Sequence, residues 1–595
     1  MISTSFLGKK ITSDASKILL TNNIGSFFFF SPVPFSKYSG LFIREEDKIF
    51  KCIEEIKQNN RELKQTEYSP QSFTNLYGSE KENEKFSFSL GKNALLYETN
   101  SGKEVTIVLD CRKVDDYSNW GRYYEVTKEK DLIVIKYKKV KDSREQSQDE
   151  YEFYTVLKAD SADFSLINSW EERFYSFDSF RNDSCNRYVY NCISLTSKKI
   201  GFGFSLDKSK AIALAYEAYK KSTSLNFSPK EIPKNNKVKI KDSRIEYCYE
   251  LSRRALSSLE VNTKNSGIYA GLPWFHQFWT RDTALSAKAF LSINEIDFVK
   301  EILLKMLSSA KEDGLIPNRL PHSDLNSIDG SGLVVSRIKD MLSSLSKQDK
   351  KQVQERIKRI ALNILTFHSK DQLIVSKPYE SWMDTDLRSG ALIEIQALQL
   401  SMYKTLRELS NELKDKKAST LFLNLEKELK KIVLDNFYVN EDLIDCIGSK
   451  ARRPNVFLAY YFYPELLSSA QWSKVFDKHL DCLYLEWGAL STIDVKNKYF
   501  QASHSGTTNT SYHKGDSWFF INNLAAICLA RVDRRKYGRY INRILDASTI
   551  DILDKGIFGF HSELSSASHQ EANGCLAQLW SSAMYVELIE ELFGK

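Results

Sequence analysis

Gly271 to Thr283, GLPWFHQFWTRDT, sets Trp274, Phe275, Phe278 and Trp279 directly beside Arg281 and Asp282. Flat rings offer apolar faces, and an Arg–Asp pair offers a polar fork. That combination suits a sugar, whose C–H faces stack and whose hydroxyls call for bidentate partners. Taken alone, the segment fits a buried tryptophan cluster sealed by one ion pair equally well.

Further polar and aromatic loops follow. Leu315–Arg319 (LIPNR) contains Asn318 and Arg319 and leads to Ile328-Asp329-Gly330. Ser381–Asp384 reads SWMD, with Trp382 beside its acid, and Arg388 and Glu394 come just after. Arg453–Asn455 (RPN) precedes Tyr512–Trp518 (YHKGDSW), which holds His513 and Trp518. His561–Ala567 (HSELSSA) carries Glu563, and Gly574–Trp580 (GCLAQLW) carries Gln578 and Trp580. Most of these loops fall between predicted helices, where a rigid scaffold presents binding residues. Each also has a structural reading. Asp384 is placed to cap a helix, Glu394 to pair with Arg388, Arg319 to tie two loops, and the tryptophans to fill a core.

The elements that must position these loops divide the chain. Before residue 230, short β-branched or aromatic runs such as 103–110, 132–137, 153–157 and 200–204 alternate with charged turns and read as strands. Ser228–Lys241 holds two prolines and five lysines and reads as a linker. Beyond it the period becomes helical, at 243–259, 284–293, 295–309, 349–367, 390–414, 418–436, 517–532, 539–553 and 576–593. The expected division is a β-rich domain over 1–230, a linker over 231–243 and a helical domain over 244–595. Gly201-Phe-Gly203 before a helix is a weak match to a dinucleotide loop, because Leu206 stands where the third glycine belongs.

Composition narrows the class. The charge of +7 is spread along 595 residues with lysines and acids interleaved, which argues against a nucleic-acid footprint. The Met1 segment, with Lys9–Lys10 ahead of any apolar run, lacks a leader pattern, and no stretch suits a membrane span. Nine dispersed cysteines without paired spacing suggest thiols in a cytoplasmic protein. Neither a metal nor an organic cofactor is expected. Oligomeric state is not legible in the sequence.

Taken in order, these motifs resemble the amylo-α-1,6-glucosidase (glycogen-debranching) family. The likeness rests on WTRDT, LIPN…D, SWMD with its downstream Glu-Ile, RPN, YHKGDSW, SEL…A and GCLAQLWS. Leu20–Phe42 is similar to the opening of the family's companion domain. The resemblance implies an α+β multidomain chain, an N-terminal β-sandwich followed by an (α/α)6 toroid with the site at one mouth. It implies removal of single α-1,6-linked glucose stubs from glycogen or a related branched α-glucan. Alternatives are a glucoamylase- or trehalase-like glucosidase on the same scaffold, or a glucan-binding protein without activity.

Such hydrolysis needs two carboxyl groups, one giving a proton to the leaving oxygen and one taking a proton from water. In an inverting enzyme they stand roughly 6.5–9.5 Å apart. The resemblance assigns the acid to Asp384 and the base to Glu563, with Glu571 in reserve. Asp384 is expected to have a raised pKa among the apolar surroundings of Trp382 and Met383. Arg281 and Asp282 would grip the terminal glucose. Trp274, Phe275, Trp279, Asn318, Arg319, Asp329, Trp382, Arg388, His513, Trp518, Gln578 and Trp580 complete the expected binding set. Two departures bear on specificity. Thr280 stands where the family has glycine, and the stretch Thr385–Ile393 is short. No separate glucanotransferase domain is expected.

Overall fold

The computed structural model describes residues 2–4, 11–13, 15–58, 62–78, 82–145, 149–321 and 325–594. Lys9 and Lys10 lie outside them. The chain divides into two compact units, but not by a single cut. Met1–Glu231, Ser257–Ser266 and Leu553–Phe558 form the first, and Ile232–Leu256, Gly267–Ile552 and Gly559–Lys595 the second.

Two sheets make up the first unit. The larger has ten strands in the order Arg122–Glu129, Leu132–Lys139, Tyr151–Ala159, Lys199–Ser205, Ala94–Thr99, Glu82–Phe88, Ser72–Tyr77, Leu63–Ser69, Ile2–Thr4, Ile11–Ser13. Ile2–Thr4 runs parallel to Leu63–Ser69, and its other ladders are antiparallel. The smaller is antiparallel with seven strands: Ser165–Phe174, Asn186–Thr196, Glu104–Lys113, Lys48–Lys57, Gly40–Glu45, Phe27–Phe30, Ile18–Thr21. Phe28 of the smaller sheet lies 5.7 Å from Phe73 and 5.6 Å from Phe86 of the larger, so rings from both share one core.

The Gly-Phe-Gly run has a packing role. A Cβ at Gly203 would stand 2.0 Å from the Ala211 carbonyl oxygen, and one at Gly201 2.4 Å from the Tyr219 nitrogen. Helix Lys208–Lys220 therefore lies directly on strand Lys199–Ser205, an approach that only glycine allows.

The second unit is helical. Thr280–Ser286, Gly330–Met341, Ile393–Glu412, Asn455–Phe462, Phe519–Asp533 and Leu579–Phe593 each pack against the next, and the last packs against the first. Between them in sequence run Ile296–Ser308, Lys347–Phe367, Lys416–Phe437, Ser469–Leu483 and Gly538–Ile550, each packed against members of that ring. The ring helices are buried nearly all round, whereas the others keep one polar face. Three helices go beyond the sequence reading. Gly330–Met341 opens on Gly-Ser-Gly, which reads as a breaker, and Asn455–Phe462 (NVFLAYYF) is too uniformly apolar to show a period. Ser469–Leu483 was legible: its apolar residues are periodic, and Ser468 with Gln471 forms a capping box. No helix among the described residues is long and apolar enough to cross a membrane.

Candidate active site

Four ring helices start directly after short ribbons that pin their first turns. Phe278–Trp279 pairs with Arg319–Leu320, and Ser517–Trp518 with Leu564–Ser565. Ala577–Gln578 pairs with Gly271–Leu272, and Gly390–Ala391 with Leu373–Ser376. Arg281, Asp282, Asp329, Glu394, Asn455, Trp518 and Gln578 all stand at or beside ring-helix N-termini. The unpaired amides there carry partial positive charge, which favours a cluster of carboxylates.

Thr280 resolves the first sequence departure. Its hydroxyl donates to the Pro317 carbonyl at 2.6 Å and its amide to the Asn318 carbonyl at 2.8 Å. The side chain thus ties WTRD to LIPNR. Arg281, 3% exposed, bridges two acids: Nε lies 3.1 Å from Asp329 Oδ2, and Nη1 donates to Asp384 Oδ2 at 3.0 Å. Asp282 accepts from Gln578 Nε2 at 2.9 Å. Burial drives its carboxyl well above the usual range against the pull of Arg281, and the charges of Glu563 and Asp384 add to the rise.

Asp384 sits in a turn and caps no helix; the next one opens at Ile393 behind Leu392. Its side chain is 37% exposed, and His513 Nε2 lies 3.7 Å from Oδ1. Burial pushes this carboxyl upward, but His513 and the Arg281 guanidinium outweigh it and hold it below its ordinary value. The expectation of a raised Asp384 is therefore corrected. Trp382 and Met383 are buried as foreseen, yet the His513 ring and the Arg281 cation together decide the direction.

Glu563 is 2% exposed and tightly held. Cys575 N donates to Oε2 at 2.8 Å, and the Tyr512 hydroxyl donates to Oε1. Gly574, at φ +63°, allows this, since a Cβ there would stand 2.3 Å from Oε2. Burial and the Glu563 charge raise the Tyr512 hydroxyl well above its usual range, and Asp384 contributes to the same rise. Asp282 and Tyr512 thus each respond to both proposed catalytic acids. Asp551 anchors the Glu563 segment, pairing with His561 Nδ1 at 2.6 Å and accepting from Ser562 N at 2.7 Å.

The aromatic residues separate into two groups. Trp274, Phe275 and Trp279 are half-buried, with Arg319 5.9 Å over the Trp279 ring. Trp382, Trp518 and Trp580 are buried and packed together: Trp382–Trp518 at 5.6 Å and Trp518–Trp580 at 5.7 Å. His513 stacks on Trp518 at 5.0 Å. Several buried polar atoms find no hydrogen-bond partner among the described residues: Arg281 Nη2, Asn318 Oδ1, His513 Nδ1, Gln578 Oε1 and Trp580 Nε1.

Arg388 is corrected. Its guanidinium donates to both oxygens of Glu394 and, from Nε and Nη2, to Asp445 at 2.7 and 2.8 Å. With its donors engaged and 9% exposure, it clamps two loops and has no free fork for a sugar. Sequence reading missed Tyr512, although it directly precedes His513 in a quoted motif. It also missed Asn455, which accepts from Trp382 Nε1 at 2.7 Å, and Asp445, which no motif marks.

A sheet-rich unit ahead of a helical ring, with acids and aromatic rings gathered at the ring-helix N-termini, defines a glycoside-hydrolase-like protein. The chain belongs to the amylo-alpha-1,6-glucosidase family, whose model matches residues 243–587. Its fold is similar to that of a bacterial glucoamylase complexed with acarbose, at a TM-score of 0.65 and 13% identity over 98% of this chain and 94% of the other. A wild-type glycosidase (TM-score 0.45, 14% identity, 59% of this chain and 98% of the other) is a looser likeness. So is a GH63 mannosylglycerate hydrolase from Thermus thermophilus in complex with Tris (TM-score 0.42, 13% identity, 57% and 99%). No curated protein matches the sequence.

Proposed function

We propose that this chain is an inverting α-1,6-glucosidase that removes single glucose stubs from a branched α-glucan such as glycogen or a limit dextrin. The proposal includes the β-sandwich and (α/α)6 toroid of that family, for which two sheets sharing a core and a closed ring of six helices are the support. Nine unpaired cysteines, mostly buried, support a reducing, cytoplasmic setting.

One observation carries the reading. Buried polar atoms without partners on Arg281, Asn318, His513, Gln578 and Trp580 lie on the loops that hold two acids in different settings. Unsatisfied buried donors and acceptors are costly, and a sugar's hydroxyls would satisfy them. The partly open Asp384 faces the leaving oxygen; Glu563, held by two donors, faces water. Asp384 gives its proton to the glycosidic oxygen as the C1–O bond breaks. Water bonds to C1 from the opposite face and loses its proton to Glu563. The products are β-glucose and a chain with a free 6-hydroxyl.

His513 and Arg281 favour ionised Asp384. A bound leaving group covers its open side and removes water, which shifts the carboxyl back toward the protonated form. The test is glucose release from a glucosyl-α-1,6 branched dextrin against maltose and trehalose, with the first anomer read by NMR. Faster release from maltose or trehalose would overturn the linkage, and α-glucose as first product would overturn inversion.

A further inference from the structure

Tyr379 lies in the left-handed backbone region, at φ +68°. A bulky aromatic residue seldom accepts that conformation, because its Cβ crowds the backbone, whereas glycine adopts it freely. The residue is 52% exposed, so packing covers only part of it. Backbone strain kept without full burial points to a use for the side chain where it stands.

Tyr379 stands on the loop that runs from Ser376 to Asp384. Its neighbour Glu380 locks this loop, accepting through its carbonyl from Ile328 N at 2.9 Å and through Oε2 from Lys377 N at 3.1 Å. Ile328 precedes Asp329, which holds Arg281, which holds Asp384. Other large apolar side chains are exposed on the same group of loops. Leu387 is 69% exposed three residues beyond Asp384. Leu325 is 38% exposed, and its carbonyl accepts from Asn318 N at 3.0 Å. Tyr499 is 57% exposed, with Lys514 6.0 Å over its ring and the same lysine 3.9 Å from Asp386. These exposed apolar side chains are thus carried by the loops that also carry Asp384, Asn318 and Lys514.

We propose that Tyr379 is the stacking platform for the acceptor chain, receiving the apolar face of a glucosyl unit of the α-glucan on the leaving-group side. The inference rests on the glycosidase reading and adds to it the residue that sets preference for a chain over a lone glucoside. A tyrosine ring supplies a flat apolar face of the size of a pyranose, with little rotamer freedom to lose.

The experiment compares wild type, Tyr379→Ala, Tyr379→Phe and Tyr379→Gly. Hydrolysis is followed on a branched dextrin and on α-glucosyl fluoride, which has no acceptor sugar, and maltotetraose affinity is measured by calorimetry. The expected result is a KM for the dextrin raised about tenfold in the Ala and Gly variants and kept in Phe. Kinetics on the fluoride stay unchanged, and maltotetraose binding weakens in parallel with the dextrin KM. Tyr379→Gly should also unfold at a temperature equal to or above that of wild type, because the left-handed strain is gone. Equal losses on both substrates, unchanged maltotetraose affinity, or a Gly variant less stable than wild type would each overturn the platform. Binding needs no turnover, so a wild type that hydrolyses neither substrate would count against the glycosidase reading, and the affinities alone would still decide the role of Tyr379.

Discussion

Arg281 Nη1 donates to the Asp384 carboxylate at 3.0 Å, so the residue assigned to grip the sugar also holds the acid assigned to cleave its bond. Under the proposed function this contact couples grip and cut: sugar hydroxyls that compete for Arg281 would loosen its hold on Asp384, and the same event would let that carboxyl regain a proton.

Asp384→Asn and Glu563→Gln should each lower glucose release from a branched dextrin by about a thousandfold, the scale of a lost general acid or base. Asp282→Asn should cost less than either, since its carboxyl is driven toward the neutral form that an amide imitates. Initial rates at matched protein stability decide this. A variant of Asp384 or Glu563 that keeps a tenth of the activity would end its catalytic assignment.

Tyr512→Phe removes the hydroxyl that donates to Glu563 and leaves the packing intact. A hydrogen bond to a charged group contributes about 1.5–3 kcal/mol, so kcat should drop by roughly ten- to a hundredfold. The melting temperature should fall too, because the same bond contributes to folding, so kcat is read where both proteins remain folded. An unchanged kcat would show that this bond is structural.

Gly574→Ala pushes a methyl group to 2.3 Å from Glu563 Oε2 at a position of positive φ. Activity should fall by about two orders of magnitude as the carboxylate is displaced. Stability should fall by about 1–3 kcal/mol for the backbone alone. Urea unfolding and kcat together check it; full activity would mean the loop relaxes without moving Glu563.

The pH profile follows from the depressed Asp384 carboxyl. As an acid it must be protonated, so kcat/KM falls as pH rises through its pKa, and a lowered pKa places that limb on the acidic side. His513→Asn removes one lowering partner, and the limb should move to higher pH. Stability has the opposite dependence. A depressed carboxyl stabilises the fold above its unfolded value of about 3.9, and that contribution is lost as pH falls. A limb that stays in place in His513→Asn would refute the link.

Arg388→Met leaves Glu394 and Asp445 buried without their cation, which should cost about 3–5 kcal/mol. At a temperature where the variant remains folded, its KM for dextrin should match that of wild type. A raised KM with stability intact would return Arg388 to the binding set.

Much of this was legible in the chain itself. The change from short β-branched runs to helical spacing near residue 243 follows from local composition and periodicity, and the significance of the loop motifs follows from their resemblance to a family. The fully buried ring helices were harder. Asn455–Phe462 has no polar face to give a period, and the glycines opening Gly330–Met341 mimic a turn. Gly201 and Gly203 looked like half a cofactor loop because a close helix–strand contact and a phosphate cradle ask for the same absence of Cβ.

The sequence by itself determined which side chains are available: two candidate acids, an Arg–Asp fork and a surplus of aromatic rings, each on a recognisable loop. Only the tertiary structure decided what each one contacts. Arg281 and Arg388 look alike in one dimension, yet one bridges Asp329 and Asp384 beside unpaired polar atoms and the other is saturated by Glu394 and Asp445. Asp282 and Asp384 both follow a tryptophan within three residues, and burial raises one while His513 and Arg281 lower the other. The physical reason is range. Helical period and turn chemistry act over a few residues, whereas charge, desolvation and hydrogen-bond saturation depend on partners that only the closed helical ring brings together.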